Sequence, residues 1–519
     1  MGNKKCSFHL QFTTKEQVLK VLRSLSSSKC TAIDGLDNFC IKIAAEIITE
    51  PLFHIITLSI MQEKFPAEWK YSKVIPLFKK NDALLAENYR PVSILSPLSK
   101  VLERIVYNQI YNYITRNKIL HKNMHGYRKN RSTLTALLQL YDKWVKAADN
   151  GYISGAVLID LSAAFDLVSP DILLKKLEIY GFKSSILGWT RDYMSDRYQA
   201  VWIDHIMSTF LPCDVGVPQG SILGPLLFML FVNDLPFVID CGVEVYADDT
   251  TLSASDSLTG TSETLTRNCE TVRNWMEENK LKLNAGKTHL LTLGTDIKLS
   301  KAETKLNVKM DSTQLKESDE KYEVLLGCYF QCNLKWGEQI TRLKSKLTKR
   351  IVGVYSIRNL LPHKTLKIIC EGWFNSVLVY CLPLFGGCSK GDLQDLQIIQ
   401  NKLARLILFS PRDTNRATMF ETLQWMTVNQ LITYHTLLVV FRIRKSGEPE
   451  DLALYFLREN RNNNIIIPQS NMELYRKSFV YRAINSWNYV PKDLRNIQDQ
   501  FIFKKNLKKW IMVEVKKFQ

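Results

Sequence analysis

Apolar residues recur at helical spacing near the start of the chain, at Val18, Leu19, Leu22 and Leu25 and again at Ile43, Ala44, Ile47 and Ile48. The polar stretch SSSKCTAIDGLDN separates the two stripes. Lys73 to Phe78 reads as a short strand interrupted by Pro76. Val101, Leu102, Ile105, Val106, Ile110 and Ile114 make one helical face, with Ser99 as its expected cap after Pro97. Ala156 to Ile159 is a continuous apolar run that predicts a buried strand ending at Asp160. Ser169, Pro170 and Asp171 then open a helix that Gly181 closes. Val243, Val245 and Ala247 alternate with Glu244 and Tyr246, the period of a half-buried strand, and Thr250 to Leu252 begin a second β run. Asp248 and Asp249 are therefore expected at a hairpin tip. A helix carrying Leu265, Cys269, Val272, Trp275 and Met276 follows, then a strand from Lys287 and a last hairpin near Gly327. Helical stripes cover 337–361, 363–380, 392–410, 418–445, 472–488 and 502–518. The pattern predicts an α+β fold with a mainly helical C-terminal region.

At 519 residues the chain is long enough for two or three domains. Its 69 Lys and Arg against 51 Asp and Glu give a net charge of +18, which favours a polyanionic partner without choosing between nucleic acid and acidic membrane. The longest uncharged apolar run, SILGPLLFMLFVN, carries Gly224 and Pro225 and is shorter than the roughly 20 residues that span a bilayer. The opening MGNKKCSFHLQF has neither an apolar core nor a cleavage site, so the protein is expected to be intracellular, in nucleus or cytoplasm. Eleven cysteines without Cys-x-x-Cys pairs argue against structural zinc, and an odd count argues against a disulfide framework. Cys328 and Cys332 are expected to be core thiols.

Several polar groups stand where they could do chemistry. Two carboxylates about 4 Å apart repel by roughly 4 kcal/mol at an effective dielectric near 20, so Asp248 and Asp249 need a cation or raised pKa values if they share a site. Hard oxygen ligands suit magnesium or manganese, whereas a solvated Asp-Asp turn needs neither. Asp160 is placed by its strand; Asp166 is read as the start of a loop. Phe165 lies where a ring could stand beside a nucleotide's sugar. Gln219, among Gly216, Pro218, Gly220 and Gly224, could hydrogen-bond a sugar or base edge. Lys79, Lys80 and Arg90 flank a loop that could close over a triphosphate or simply be solvated. Arg128, Lys129 and Arg131 beside Tyr127 could grip a nucleic-acid backbone, Lys287 could aim an ammonium at a leaving phosphate, and the basic closing stretch FKKNLKKWIMVEVKKF could contact RNA or water.

Taken in order, NYRPVSILSPLSKVLE, HGYRKNRST, VLIDLSAAFDLV, GVPQGSILGPLLFMLFVNDLP, YADDT and GKTHLLTLG resemble the reverse transcriptase of non-LTR, or LINE-type, retrotransposons. The resemblance implies a right-hand polymerase with fingers, a palm built on antiparallel sheet, and a helical thumb. It divides the chain into a helical extension (1–70), fingers and palm (71–295), a thumb-like region (296–361) and a basic helical C-terminal region (362–519). It implies Asp160, Asp248 and Asp249 as ligands of two Mg2+ ions, with Mn2+ as a substitute, and Lys287 as general acid. Phe165 becomes the gate against a ribose 2′-hydroxyl, Gln219 a nucleotide contact, and Lys79, Lys80 and Arg90 triphosphate contacts. Template RNA, primer or target DNA and dNTPs are the implied partners. Neither an endonuclease nor a zinc knuckle is recognisable in the chain. An RNA-dependent RNA polymerase would carry Gly-Asp-Asp at the hairpin and a polar acid at Phe165; a group II intron maturase is a closer relative to consider, but SILGPLLFMLFVNDLP followed by YADDT resembles the LINE type more. A catalytically silent RNA-binding protein retaining the fold is the alternative from another class.

Overall fold

The computed structural model of the protein describes residues 7–301, 305–311, 313–317 and 320–514. The first six and last five residues, part of the opening and closing basic stretches, lie outside them. The chain forms two units, each assembled from interleaved segments. One comprises 1–127, 160–240 and 270–285; the other comprises 128–159, 241–269 and 286–519.

In the first unit the strands Tyr71–Phe78 and Tyr89–Ile94 form an antiparallel hairpin, and Arg197–Ile203 pairs in parallel with the start of Tyr71–Phe78. Pro76 is tolerated because that parallel partner covers only Tyr71 to Val74, and because it faces Pro91, which has no N–H of its own. The helix Pro97–Arg116 buries the expected stripe: Val101, Leu102, Ile105, Val106, Ile110 and Ile114 are all buried. Its cap is Ser96, whose hydroxyl accepts from the Leu98 N–H; Ser99, the expected cap, instead donates to Glu103 at 3.0 Å. Near the N-terminus the expected second stripe is displaced. The helix breaks at Ala44 into Asn38–Ile43 and Ala45–Gln62, whose buried face is Ala45, Thr49, Leu52 and Ile56, while Ile43 and Ile47 are exposed.

In the second unit Ile153–Ile159 is the buried strand that its sequence predicts. It lies between Asp249–Asp256 and His289–Leu293, with Gly242–Tyr246 at the outer edge, all antiparallel. Gly155 admits this packing: a Cβ there would come within 2.5 Å of Leu265 and 2.6 Å of Leu306. The helix Thr133–Asp149 packs on the sheet, with Trp144 and Val145 in a core that runs on into the C-terminal helices through Phe330, Trp336, Phe385 and Trp487. The hairpin Tyr322–Leu325 and Cys328–Gln331 turns at Leu326 and Gly327, both at positive φ, as the sequence predicts.

Gly337–Ile357, His363–Leu378 and Lys390–Leu408 follow the expected helices. The stripe over 418–445 is divided instead into Arg416–Leu423 and Val428–Ser446, because Gln424 turns left-handed and Thr427 forms a capping box with Gln430. The stripe over 472–488 likewise becomes Glu473–Arg476 and Phe479–Tyr489. Every described cysteine is a free thiol; Cys328 is buried and Cys332 partly so. No helix among the described residues is long and apolar enough to cross a membrane.

Candidate nucleotide-binding and catalytic site

The carboxylate hairpin takes its shape from one left-handed residue. Tyr246 pairs with Asp249, leaving Ala247 and Asp248 as a two-residue turn in which Ala247 has φ +57°. Turns of this kind match the twist of the flanking strands and require positive φ at the first central position. The tip thus lies one residue earlier than an Asp-Asp turn: Asp248 is in the bend and half-buried, while Asp249 opens the returning strand and is exposed. Continuing down that strand, Thr250 lies opposite Ile159, and Asp160 is the next residue along the chain. The Asp160 carbonyl accepts from the Asn284 N–H at 3.0 Å. Among the described residues no three His, Cys, Asp or Glu side chains are grouped closely enough to hold a metal ion.

The alternation in Gly242–Tyr246 does not put Glu244 in water. Glu244 is 3% exposed and pairs with Lys143 at 2.7 Å, because the helix Thr133–Asp149 covers that face of the strand. The ion pair replaces the hydration that the carboxylate loses.

A second constellation lies within the first unit. Phe165 sits on the short helical turn Ala164–Leu167, entered through left-handed Ala163. Its ring stacks on Phe228 at 4.3 Å between centroids and meets Tyr127 edge-on at 6.2 Å. The loop bearing Gln219 is fastened along this turn: the Gly216 N–H donates to the Val168 carbonyl and the Val217 N–H to the Phe165 carbonyl, each at 2.9 Å. Gly216 and Gly220 have φ of +90° and +129°, and a Cβ on either would strike the backbone of Asp166 or Ser93. Glycine is therefore required at both positions.

The Gln219 carbonyl accepts from the Ser93 N–H at 2.7 Å, and its Nε2 donates to both carboxylate oxygens of Asp166, at 2.8 and 3.0 Å. An ionised carboxylate can only accept, so the amide nitrogen must face Asp166 and Oε1 is directed elsewhere as an acceptor. Burial raises the Asp166 pKa and the Gln219 hydrogen bond opposes the rise. Reading Asp166 as merely the start of a loop misses this role; its position two residues before Val168, where the Gly216 loop docks, is visible only in the fold.

Beneath the loop, buried Glu103 accepts from the N–H groups of Ile222 and Leu223 at 2.6 and 3.2 Å, at the entrance to the helix Gly224–Val232. Burial raises its pKa, and the Arg197 charge opposes this. Arg90 is exposed on the strand that carries Ser93, opposite Leu77, and Lys79 and Lys80 are exposed just beyond Phe78.

The remaining basic candidates divide. Arg131 is not a phosphate contact: its side chain is fully buried in the second unit, 2.6 Å from Glu450 and 3.6 Å from Glu448. Arg128 lies 3.8 Å from Glu448 and is largely covered, whereas Lys129 is exposed. The acids that turn Arg131 inward come from more than 300 residues along the chain, which no local pattern reveals. Lys287 is exposed at the end of the turn Ala285–Lys287, two residues before the strand His289–Leu293 begins.

Residues 78–350 match the family described as reverse transcriptase (RNA-dependent DNA polymerase), and the chain belongs to that family. Its relatives include the probable RNA-directed DNA polymerase from transposon BS of Drosophila melanogaster, 28% identical over 83% of this chain and 48% of the relative. The RNA-directed DNA polymerase from mobile element jockey, also of Drosophila melanogaster, is 25% identical over 78% and 45%. The chain spans about half the length of the curated relatives it matches. Among solved structures, apo telomerase from Candida Tropicalis, truncated from its C-terminal domain, is 12% identical with a TM-score of 0.35, covering 52% of this chain and 55% of that one.

Proposed function

We propose that this chain is an RNA-directed DNA polymerase of a LINE-type retrotransposon, extending a primer 3′-hydroxyl with dNTPs on an RNA template. The observation that carries the reading is the register of the central strands: Asp160 follows the residue paired with Thr250, Asp248 lies in the turn with Ala247, and Asp249 opens the strand that continues into Thr250. Three carboxylates in that order would offer a donor set of hard oxygen atoms, the kind that suits Mg2+ or Mn2+. Asp160, Asp248 and Asp249 would hold the divalent ions, whose chemistry would be to lower the pKa of the attacking hydroxyl and to steady the leaving pyrophosphate.

The chain's own residues do the rest. Phe165, braced on Phe228, stands as a fixed wall against a ribose 2′-hydroxyl. Gln219, held by Asp166, offers its amide oxygen to the nucleotide sugar. Arg90, with Lys79 and Lys80, holds the triphosphate, and Lys287 delivers a proton to the pyrophosphate. Lys129 remains a candidate for the nucleic-acid backbone; Arg131, paired within the protein, does not.

The test is primer extension by the full chain on a primed RNA with dNTPs and Mg2+. Extension is expected, and Asp248→Ala is expected to abolish it while the fold persists. Absence of extension in both Mg2+ and Mn2+, with RNA binding intact, would instead leave a silent RNA-binding protein.

A further inference from the structure

Within the second unit, the C-terminal ends of the helices Gly337–Ile357 and Lys390–Leu408 and the segment after each border an open cleft of about 860 Å³. That lies near the top of the roughly 300–1,000 Å³ range that holds ligands of drug size. Three features of it bear on what it could hold.

The first is charge. Arg358, Lys402, Arg405 and Arg412 line the cleft, with no Asp or Glu among the lining residues. The buried Nε of Arg405 has no hydrogen-bond partner within the protein.

The second is exposed aromatic surface. Tyr355 is 60% and Phe409 50% exposed, and the Arg358 guanidinium lies 4.8 Å from one ring centroid and 5.1 Å from the other. The cation thus bridges the two rings and holds them at the mouth of the cleft.

The third is backbone strain. Phe409 caps the helix Lys390–Leu408 in the left-handed conformation, φ +52° and ψ +31°, its N–H bonded to the Arg405 carbonyl. Glycine is the usual residue at such a position, and a side chain costs roughly 1–2 kcal/mol there. Glu63 and Gln424 cap helices in the same conformation, so what sets Phe409 apart is the large ring left half in solvent beside the cations.

We infer that this cleft binds single-stranded RNA, the polyanion whose unpaired bases can stack on Tyr355 and Phe409 while Arg358, Lys402, Arg405 and Arg412 follow its phosphates. Exposed rings select unpaired bases, since a duplex hides its base faces, and the cations supply the salt-dependent part of the affinity. The choice of RNA over single-stranded DNA rests on the polymerase reading, in which RNA is the template.

The experiment measures binding of the full chain to an unstructured RNA of about 16 nucleotides, to the same sequence as DNA and to duplex RNA, across a salt series. A 4-thiouridine version of the RNA is photocrosslinked and the modified peptide mapped. Crosslinks are expected between 351 and 358 or between 402 and 412. Phe409→Gly removes the ring and relieves the strained cap, so its melting temperature is expected to stay within a few degrees of the parent while single-stranded RNA affinity falls about tenfold. Tyr355→Ala should lose a similar factor, and Arg412→Gln should reduce the salt slope by about one. Asp248→Ala should bind as the parent does, so failure of polymerisation and failure of this cleft are read separately. Unchanged affinity in both aromatic variants, an equal loss on duplex RNA, tighter binding of DNA than RNA, or crosslinks confined to other peptides would overturn the inference.

Discussion

The amide of Gln219 has two ends that differ in chemistry, and Asp166 decides which of them is free. With Nε2 held by both carboxylate oxygens, Oε1 is left to accept from a sugar hydroxyl. Asp166→Ala releases the amide to rotate. A charge-assisted hydrogen bond is worth about 1.5–3 kcal/mol, so the KM for dNTP is expected to rise roughly tenfold or more while kcat changes less. Asp166→Asn, which can still accept through its own oxygen, should recover part of the loss. Single-nucleotide extension kinetics check this, and an unchanged KM in the Ala variant would exclude the positioning role. At this scale the sequence was legible where a residue's neighbours in the chain define its setting. Asp160 ends a buried strand and Asp248 lies in a turn, and both facts follow from local pattern. Glu244 and Arg131 were not legible, because burying a charge depends on a partner from elsewhere: Lys143 for one, Glu450 for the other.

Elements are held in place by groups that their own sequence does not contain. The loop from Gly216 to Leu223 has little regular structure, and Glu103, from the helix Pro97–Arg116, pins its end by accepting two N–H groups. Glu103→Ala leaves both donors buried without a partner, at about 1–3 kcal/mol each, and leaves Arg197 facing no charge there. Its melting temperature is expected to fall by several degrees, with dNTP affinity falling as Gln219 loses its frame; thermal denaturation and nucleotide titration measure the two effects. The same dependence explains which boundaries the sequence revealed. The stripe of Pro97–Arg116 and the hairpin at Gly327 are set by short-range periodicity and turn chemistry. The break at Gln424 is not, since apolar residues continue across it and only the capping box at Thr427 marks a new start. Ile43 and Ile47 fit a helical period yet face solvent, because the break at Ala44 resets the buried face to Ala45.

For the whole molecule, one buried acid makes stability depend on pH near neutrality. Burial pushes the Asp142 carboxyl up to about 6, with a Tyr455 hydrogen bond and the charges of Lys146 and Lys143 acting against the rise. An unfolded aspartate titrates near about 3.9, so the native state holds this proton over a range in which the unfolded chain has released it. Its contribution is complete below about pH 4 and is lost as pH climbs through about 6, a change on the order of 3 kcal/mol. Asp142→Asn is therefore expected to melt higher than the parent at about pH 7.5, the difference vanishing below about pH 4; paired thermal melts across that range decide it.

The interleaving of segments has a temporal meaning as well. Ile153–Ile159 leaves the ribosome long before Asp249–Asp256 and His289–Leu293, its partners on either side. During synthesis its open hydrogen-bonding edges and apolar faces must wait, so the nascent chain carries an aggregation-prone ribbon that a bound chaperone or early docking of Thr133–Asp149 has to shelter.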